Sequence, residues 1–179
     1  MPRSDTEFEG RVLDVDFDAI RTAIEAAGGE LVGAFRQRRY VYDVPGARGR
    51  WIRLRSDGTA CSLAVKEIVA DAVDGTKEVE VAVEDFDRCA DLLERMGFTA
   101  KAYQENHRTR FALGDVTLDL DQWPGIPLYL EIEGPDADSV HAVLARLGLP
   151  TAALTFANVV DIYAAHGVDI DRIPRLTLE

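Results

Sequence analysis

Cysteine, histidine and lysine are all scarce in this chain. Two cysteines, Cys61 and Cys89, are too few for a disulfide framework and too far from each other and from any histidine for a zinc site, so reduced, buried thiols are expected. The three histidines, His107, His141 and His166, stand at no spacing typical of a ligand pair. No apolar run approaches the ~18 residues of a membrane helix, and residues 1–5 are polar with no apolar stretch behind them, which predicts a cytoplasmic protein without a membrane partner. Linkers and low-complexity stretches are also missing. A chain of 179 residues with 47% hydrophobic content then fits one globular domain, 1–179. Of its 20 basic residues only Lys66, Lys77 and Lys101 are lysines, and 32 acidic residues bring the net charge to -12. Such a balance excludes nucleic acid as a bulk electrostatic partner. Any polyanion must be met in a local pocket, where the fixed donor fork of arginine suits phosphate oxygens.

What is present is a recurring module. An E-x-E strand leads into an amphipathic helix that stops at glycine: Glu7-Phe8-Glu9 through 17–27 to Gly28, Glu78-Val79-Glu80 through 86–96 to Gly97, and Glu131-Ile132-Glu133 through 136–147 to Gly148. Glycine just beyond a periodic apolar pattern is the usual left-handed helix cap. Strands are expected at about 6–15, 31–43, 50–56, 60–69, 76–83, 99–113, 115–122 and 128–134, with Pro45-Gly46, Asp57-Gly58, Gly114-Asp115 and Trp123-Pro124-Gly125 as turns. A last helix is expected at about 156–165. Eight strands joined mostly by short turns predict an α+β fold with an antiparallel sheet.

Side chains alternate between the faces of a strand, and the strands sort into charged and apolar columns. Glu7, Glu9 and Arg11 share one face; Arg53 and Arg55 oppose Ile52 and Leu54; Lys66 opposes Leu63 and Val65; Glu78 and Glu80 oppose Val79 and Val81. Later, Arg108 and Arg110 oppose Phe111, Asp119 and Asp121 oppose Leu118 and Leu120, and Glu131 and Glu133 oppose Leu130 and Ile132. Solvent faces usually mix polar types, whereas these columns hold almost no Ser, Thr, Asn or Gln. A closed sheet with its apolar face outward, beneath the helices, would gather the charges in one lumen, with Leu54 and Val65 buried under helices. Cations together need anions, and surplus carboxylates need a divalent metal such as Mg²⁺ or Mn²⁺. A polyphosphate with metal answers both demands.

These residues, in this order, resemble the CYTH superfamily of triphosphate tunnel metalloenzymes, which includes class IV adenylyl cyclases, thiamine triphosphatases and inorganic triphosphatases. The resemblance rests on Glu7-Phe8-Glu9-Gly10-Arg11, Arg53-Leu54-Arg55, Lys66, Glu78 with Glu80, Arg108, Asp121 before Pro124-Gly125, and Glu131-Ile132-Glu133, and it covers nearly the whole chain. It implies an eight-stranded antiparallel β-barrel with helices outside. Arg53, Arg55, Lys66, Arg108 and Arg110 would bind a triphosphate, whether tripolyphosphate, ATP or thiamine triphosphate. Glu7, Glu9, Asp121, Glu131 and Glu133 would serve Mg²⁺ or Mn²⁺; Glu7, Glu9 and Arg11 would form the catalytic end; Glu78, Glu80 and Asp119 would be charge partners. The implied activity is metal-dependent hydrolysis, with ATP cyclisation to cyclic AMP and non-catalytic binding as alternatives, in a monomer or homodimer. Three positions depart from the family pattern: Arg11 replaces the usual lysine, Asn106 stands where a basic residue often precedes Arg108, and Phe156 replaces a Ser-Tyr pair.

Overall fold

The structure, a computed structural model, describes residues 5–178, so most of the polar N-terminal stretch lies outside the described residues. Eight strands form the wall: β1 (Asp5–Val12), β2 (Glu30–Asp43), β3 (Arg50–Ser56), β4 (Cys61–Ile68), β5 (Thr76–Val83), β6 (Ala102–Leu113), β7 (Val116–Gln122) and β8 (Tyr129–Gly134). They pair in the order β6-β2-β3-β4-β5-β1-β8-β7, and β7 returns to β6, so the sheet closes as an eight-stranded antiparallel barrel. The seam between β1 and β5 is short, with Asp5, Thr6 and Glu7 facing Glu78, Lys77 and Thr76. Beyond it a two-residue strand, β9 (Leu154–Thr155), takes up the free edge of β1 at Arg11 and Val12. A second short strand, β10 (Arg175–Leu176), runs parallel to β6. Neither is expected from sequence, because two residues carry no readable periodicity.

The helices are α1 (Phe17–Ala26), α2 (Phe86–Arg95), α3 (Ala137–Arg146) and α4 (Val159–Ala165). The three repeated helices share both ends. Asp16, Asp85 and Asp136 cap them by accepting the backbone N–H three residues on, and Gly28, Gly97 and Gly148 follow them with φ of 84°, 94° and 72°. At each exit two N–H groups return to the last turn, as from Gly28 to Glu25 and from Gly29 to Ile24. The last helix starts at Val159 rather than 156, because Asn158 supplies its N-cap.

The main core lies outside the wall. Ile20 and Ile24 of α1 and Val140, Val143 and Leu144 of α3 pack with Phe111, Leu118, Leu120, Leu130 and Ile132 from the outer faces of β6, β7 and β8. A second cluster joins α2, through Phe86 and Leu93, to Ile52 and Leu54 on β3. A third places Ile162 and Tyr163 of α4 against Trp123, Ile126 and Tyr129. One expectation fails here: Leu54 is fully buried, but Val65 is 38% exposed, as are Val79 at 44% and Val81 at 54%. The helices gather over the other walls and leave the outer face of β4 and β5 open beyond Cys61, Leu63 and Val83, which reach the α2 cluster.

Candidate active site

Closure turns the charged columns inward. Because β1 and β8 pair with Arg11 opposite Glu131 and Glu9 opposite Glu133, the first and last E-x-E segments meet side by side. Arg11 donates from Nε to Glu131 Oε2 at 2.9 Å, from Nη2 to Glu9 Oε2 at 3.0 Å and from Nη1 to the Ala157 carbonyl at 3.2 Å. Arg108 donates to Asp121 through Nε at 2.7 Å and through Nη2, and reaches Asp119 at 2.6 Å and Glu131 at 3.0 Å. Glu131 thus joins Arg11 to Arg108. Burial alone would raise its carboxyl, but the two guanidinium charges hold it well below the usual carboxylate range.

On the opposite wall Lys66 Nζ lies 2.7 Å from Glu7 Oε2 and 3.4 Å from Glu78 Oε2. Arg53 reaches Glu78 at 2.9 Å and Glu80 at 3.1 Å, while among the described residues Arg55 has only Glu80, at 3.5 Å. Arg110 is clamped by both oxygens of Asp119. Burial and the shared hydrogen bond with Glu78 push the Glu7 carboxyl up to about 8. Partial desolvation, then Glu131 and Glu9, also raise the carboxyl of Glu133, which stays exposed near the end of β8 and makes no ion pair among the described residues.

A cavity of about 830 Å³ opens along this lattice. Among the expected site residues, Glu9, Arg11, Arg53, Arg55, Lys66, Arg108, Asp121 and Glu131 line it. Glu7, Glu78, Glu80, Arg110, Asp119 and Glu133 occupy the same inward columns but do not line it, and Glu80 and Glu133 are exposed. The charged columns therefore do not all share one open cavity. At the mouth Trp51 continues the column of Arg53 and Arg55, beside Val41 and Ile68. Residues 155–161, from the end of β9 into the first turn of α4, form a further side that includes Phe156.

Sequence reasoning missed Arg39. It lies in the lumen, 7% exposed, with its guanidinium 4.5 Å from the centre of the Trp123 ring, and it donates to Gln37 Oε1 at 2.8 Å and to Asn106 Oδ1. The alternation Gln37-x-Arg39-x-Val41 on β2 carries the signal that could have found it. Asn106, the departure on β6, thus faces a cation supplied from β2 and also donates to Asp121 at 3.0 Å.

No curated protein matches the chain in sequence. Among solved structures it resembles the PH1012 protein of Pyrococcus horikoshii OT3 (TM-score 0.75, 22% identity, 87% of this chain and 98% of that one). It also resembles an adenylate cyclase candidate from Vibrio parahaemolyticus (TM-score 0.76, 17% identity, 90% and 99%). A third is HpAC1 of Hippeastrum, an adenylyl cyclase candidate with a dominant triphosphatase activity (TM-score 0.59, 14% identity, 93% and 99%). At these identities the likeness is one of fold. The CYTH domain family model matches residues 5–154, which span the whole eight-stranded barrel and the paired E-x-E segments, and the chain belongs to that family.

Proposed function

We propose that the protein binds a metal-complexed triphosphate in the lumen and hydrolyses it. The observation that carries this reading is the uneven charge of the lumen: Arg39 and Arg55, facing each other on β2 and β3, lack full neutralisation, while burial holds the Glu7 carboxyl back from ionising and Glu133 has no cationic partner among the described residues. A triphosphate with divalent metal brings anionic oxygens and a cation in one ligand. On binding, Arg53, Lys66 and Arg108 would exchange carboxylate partners for phosphate oxygens and so free carboxylates for the metal. Trp51 at the mouth offers a surface to an organic group, so ATP and thiamine triphosphate stand beside tripolyphosphate as substrates.

Among the described residues no three Asp, Glu, His or Cys side chains already surround one point, yet the donors fit Mg²⁺ or Mn²⁺ in kind. Glu9 and Glu133 face each other across β1 and β8, close to Glu7, and all are hard oxygen donors. Asp121 and Glu131 are taken up by arginine and would join only if Arg108 or Arg11 moved. The metal would supply charge neutralisation and an acidified water. Arg53, Arg55, Lys66 and Arg108 would absorb charge on the non-bridging oxygens as the phosphoanhydride breaks. Glu7 would join Glu9 and Glu133 at the metal once the cation displaces the proton that burial keeps on its carboxyl. Arg11 keeps Glu9 and Glu131 in place.

The test is a steady-state assay with Mg²⁺ or Mn²⁺ on tripolyphosphate, ATP and thiamine triphosphate, with products separated. Orthophosphate release is the expected result. Cyclic AMP with pyrophosphate from ATP would identify a cyclase, and tight binding without turnover a triphosphate-binding protein.

A further inference from the structure

We propose that Arg39 and Arg55, with the Trp123 indole beside them, form a clamp that takes one phosphoryl group of the ligand from the β2–β3 wall. This rests on the triphosphate reading above and adds to the lumen a binding residue outside the E-x-E and R-x-R pattern.

The two arginines are directly opposite in the register of β2 and β3, on the same inward face. Facing residues of an antiparallel pair have Cβ atoms about 5 Å apart, and like charges so placed are destabilising. Both line the cavity. The other inward cations each have a carboxylate within 3.1 Å: Arg11 has Glu9 and Glu131, Lys66 has Glu7, Arg53 has Glu78, Arg108 has Asp121, and Arg110 has Asp119. Arg39 has none within ion-pair distance among the described residues. Its two acceptors, Gln37 and Asn106, are neutral amides that orient the guanidinium and leave its charge in place. Burial, then Arg55, Arg53 and Arg108, depress Arg39 to about 9, and Arg53 leads the lowering of Arg55 to about 10.

A second observation points to the same ligand. Among the described residues, three buried side-chain N–H groups without an acceptor, Arg39 Nε, Arg53 Nε and Trp123 Nε1, belong to residues that line this cavity. Buried donors are normally satisfied. All three lack an acceptor rather than a donor, and a phosphoryl group offers several acceptor oxygens with negative charge. Two guanidinium forks from neighbouring strands match that geometry.

Titration calorimetry at 0.15 M salt decides the matter, using orthophosphate as the probe of the clamp alone and tripolyphosphate with Mg²⁺ as the probe of the whole lumen. Arg39→Gln should weaken tripolyphosphate binding at least tenfold and abolish measurable orthophosphate binding. Because it removes an uncompensated cation, its ligand-free melting temperature should equal or exceed that of the wild type. Arg39→Lys, which keeps the charge but not the fork, should fall between the two and serves if the glutamine variant does not fold. A lower ligand-free melting temperature with tripolyphosphate affinity within twofold of wild type would make Arg39 a packing residue of Trp123 and overturn the clamp, leaving the triphosphate reading intact. Arg39-dependent orthophosphate binding in a protein that neither binds nor turns over tripolyphosphate would keep the clamp and overturn that reading. Binding of neither probe by the wild type would overturn both.

Discussion

Glu131 and Glu133 are two residues apart on one strand and do opposite work. Both oxygens of Glu131 are engaged, one by Arg11 and the other by Arg108, whereas Glu133 is repelled by Glu131 and Glu9. Glu131→Gln should therefore leave two buried arginines short of an anion, and breaking a buried pair costs about 3–5 kcal/mol. Glu133→Gln should leave the ligand-free protein as stable as wild type or more so, while lowering its affinity for Mn²⁺. Thermal melts in chelator followed by Mn²⁺ titration separate the two; equal melting temperatures would show that Glu131 is not the hinge of the ion-pair lattice. Glu7 adds a pH dependence. Its carboxyl is raised from the ordinary 4.5 to about 8, so the folded state holds a proton that the unfolded state releases, and the associated stability, complete below pH 4.5, is lost as pH rises toward 8. In chelator, the fall in melting temperature between pH 5 and pH 8 should be shallower in Glu7→Gln than in wild type. Identical slopes would remove Glu7 as its source. The charged columns that set up these contrasts are legible in the alternation of β1, β3, β5 and β8, but which acid meets which base depends on register across strands far apart in sequence.

At the scale of elements, β9 controls how the C-terminal segment meets the barrel. A Cβ on Gly10 would come within 2.7 Å of Leu154 Cδ1, and Leu154 belongs to the strand that pairs with Arg11 and Val12. Gly10→Val should push this segment away and loosen the Ala157 carbonyl from Arg11, with a loss of about 1–3 kcal/mol as for other overpacked sites. Denaturant unfolding gives the loss, and an unchanged midpoint would mean that Leu154 simply swings aside. The helix ends were readable because an aspartate N-cap and a glycine exit are local chemistry. Helix placement was not, and Val65 shows why: its alternation is the same as that of Leu54, but only Leu54 lies beneath α2.

The whole molecule carries a net charge of -12, yet the lumen nearly balances its own charges, so the excess is spread over the exterior. Asp43, Asp71, Asp161 and Asp171 are among the residues bordering the cavity. Free tripolyphosphate should be repelled on approach, and repulsion over a Debye length of ~30 Å at 0.01 M salt shrinks to ~8 Å at 0.15 M. Stopped-flow association should accordingly quicken as salt rises across this range and be faster for the Mg²⁺ complex than for free tripolyphosphate. An association rate that falls with salt would mean that the cationic wall, not the net charge, governs encounter. At equilibrium, short-range contacts should dominate: Arg53→Ala should weaken tripolyphosphate binding at least tenfold, the ~1.4 kcal/mol equivalent, and Arg88→Ala on α2 should leave it within twofold.

By itself the sequence determined the eight strands, their inward and outward faces, the capped helices and the E-x-E and R-x-R residues of the lumen, because alternation, caps and turns act over a few neighbouring residues. Only the tertiary structure decided that Glu131 bridges two arginines while Glu133 meets none among the described residues, that Arg39 supplies a cation beside Asn106, and that Val65 stays exposed. These outcomes follow from closure of the barrel, which sets β2 against β6 and β1 against β8 and so brings together charges that no local pattern relates.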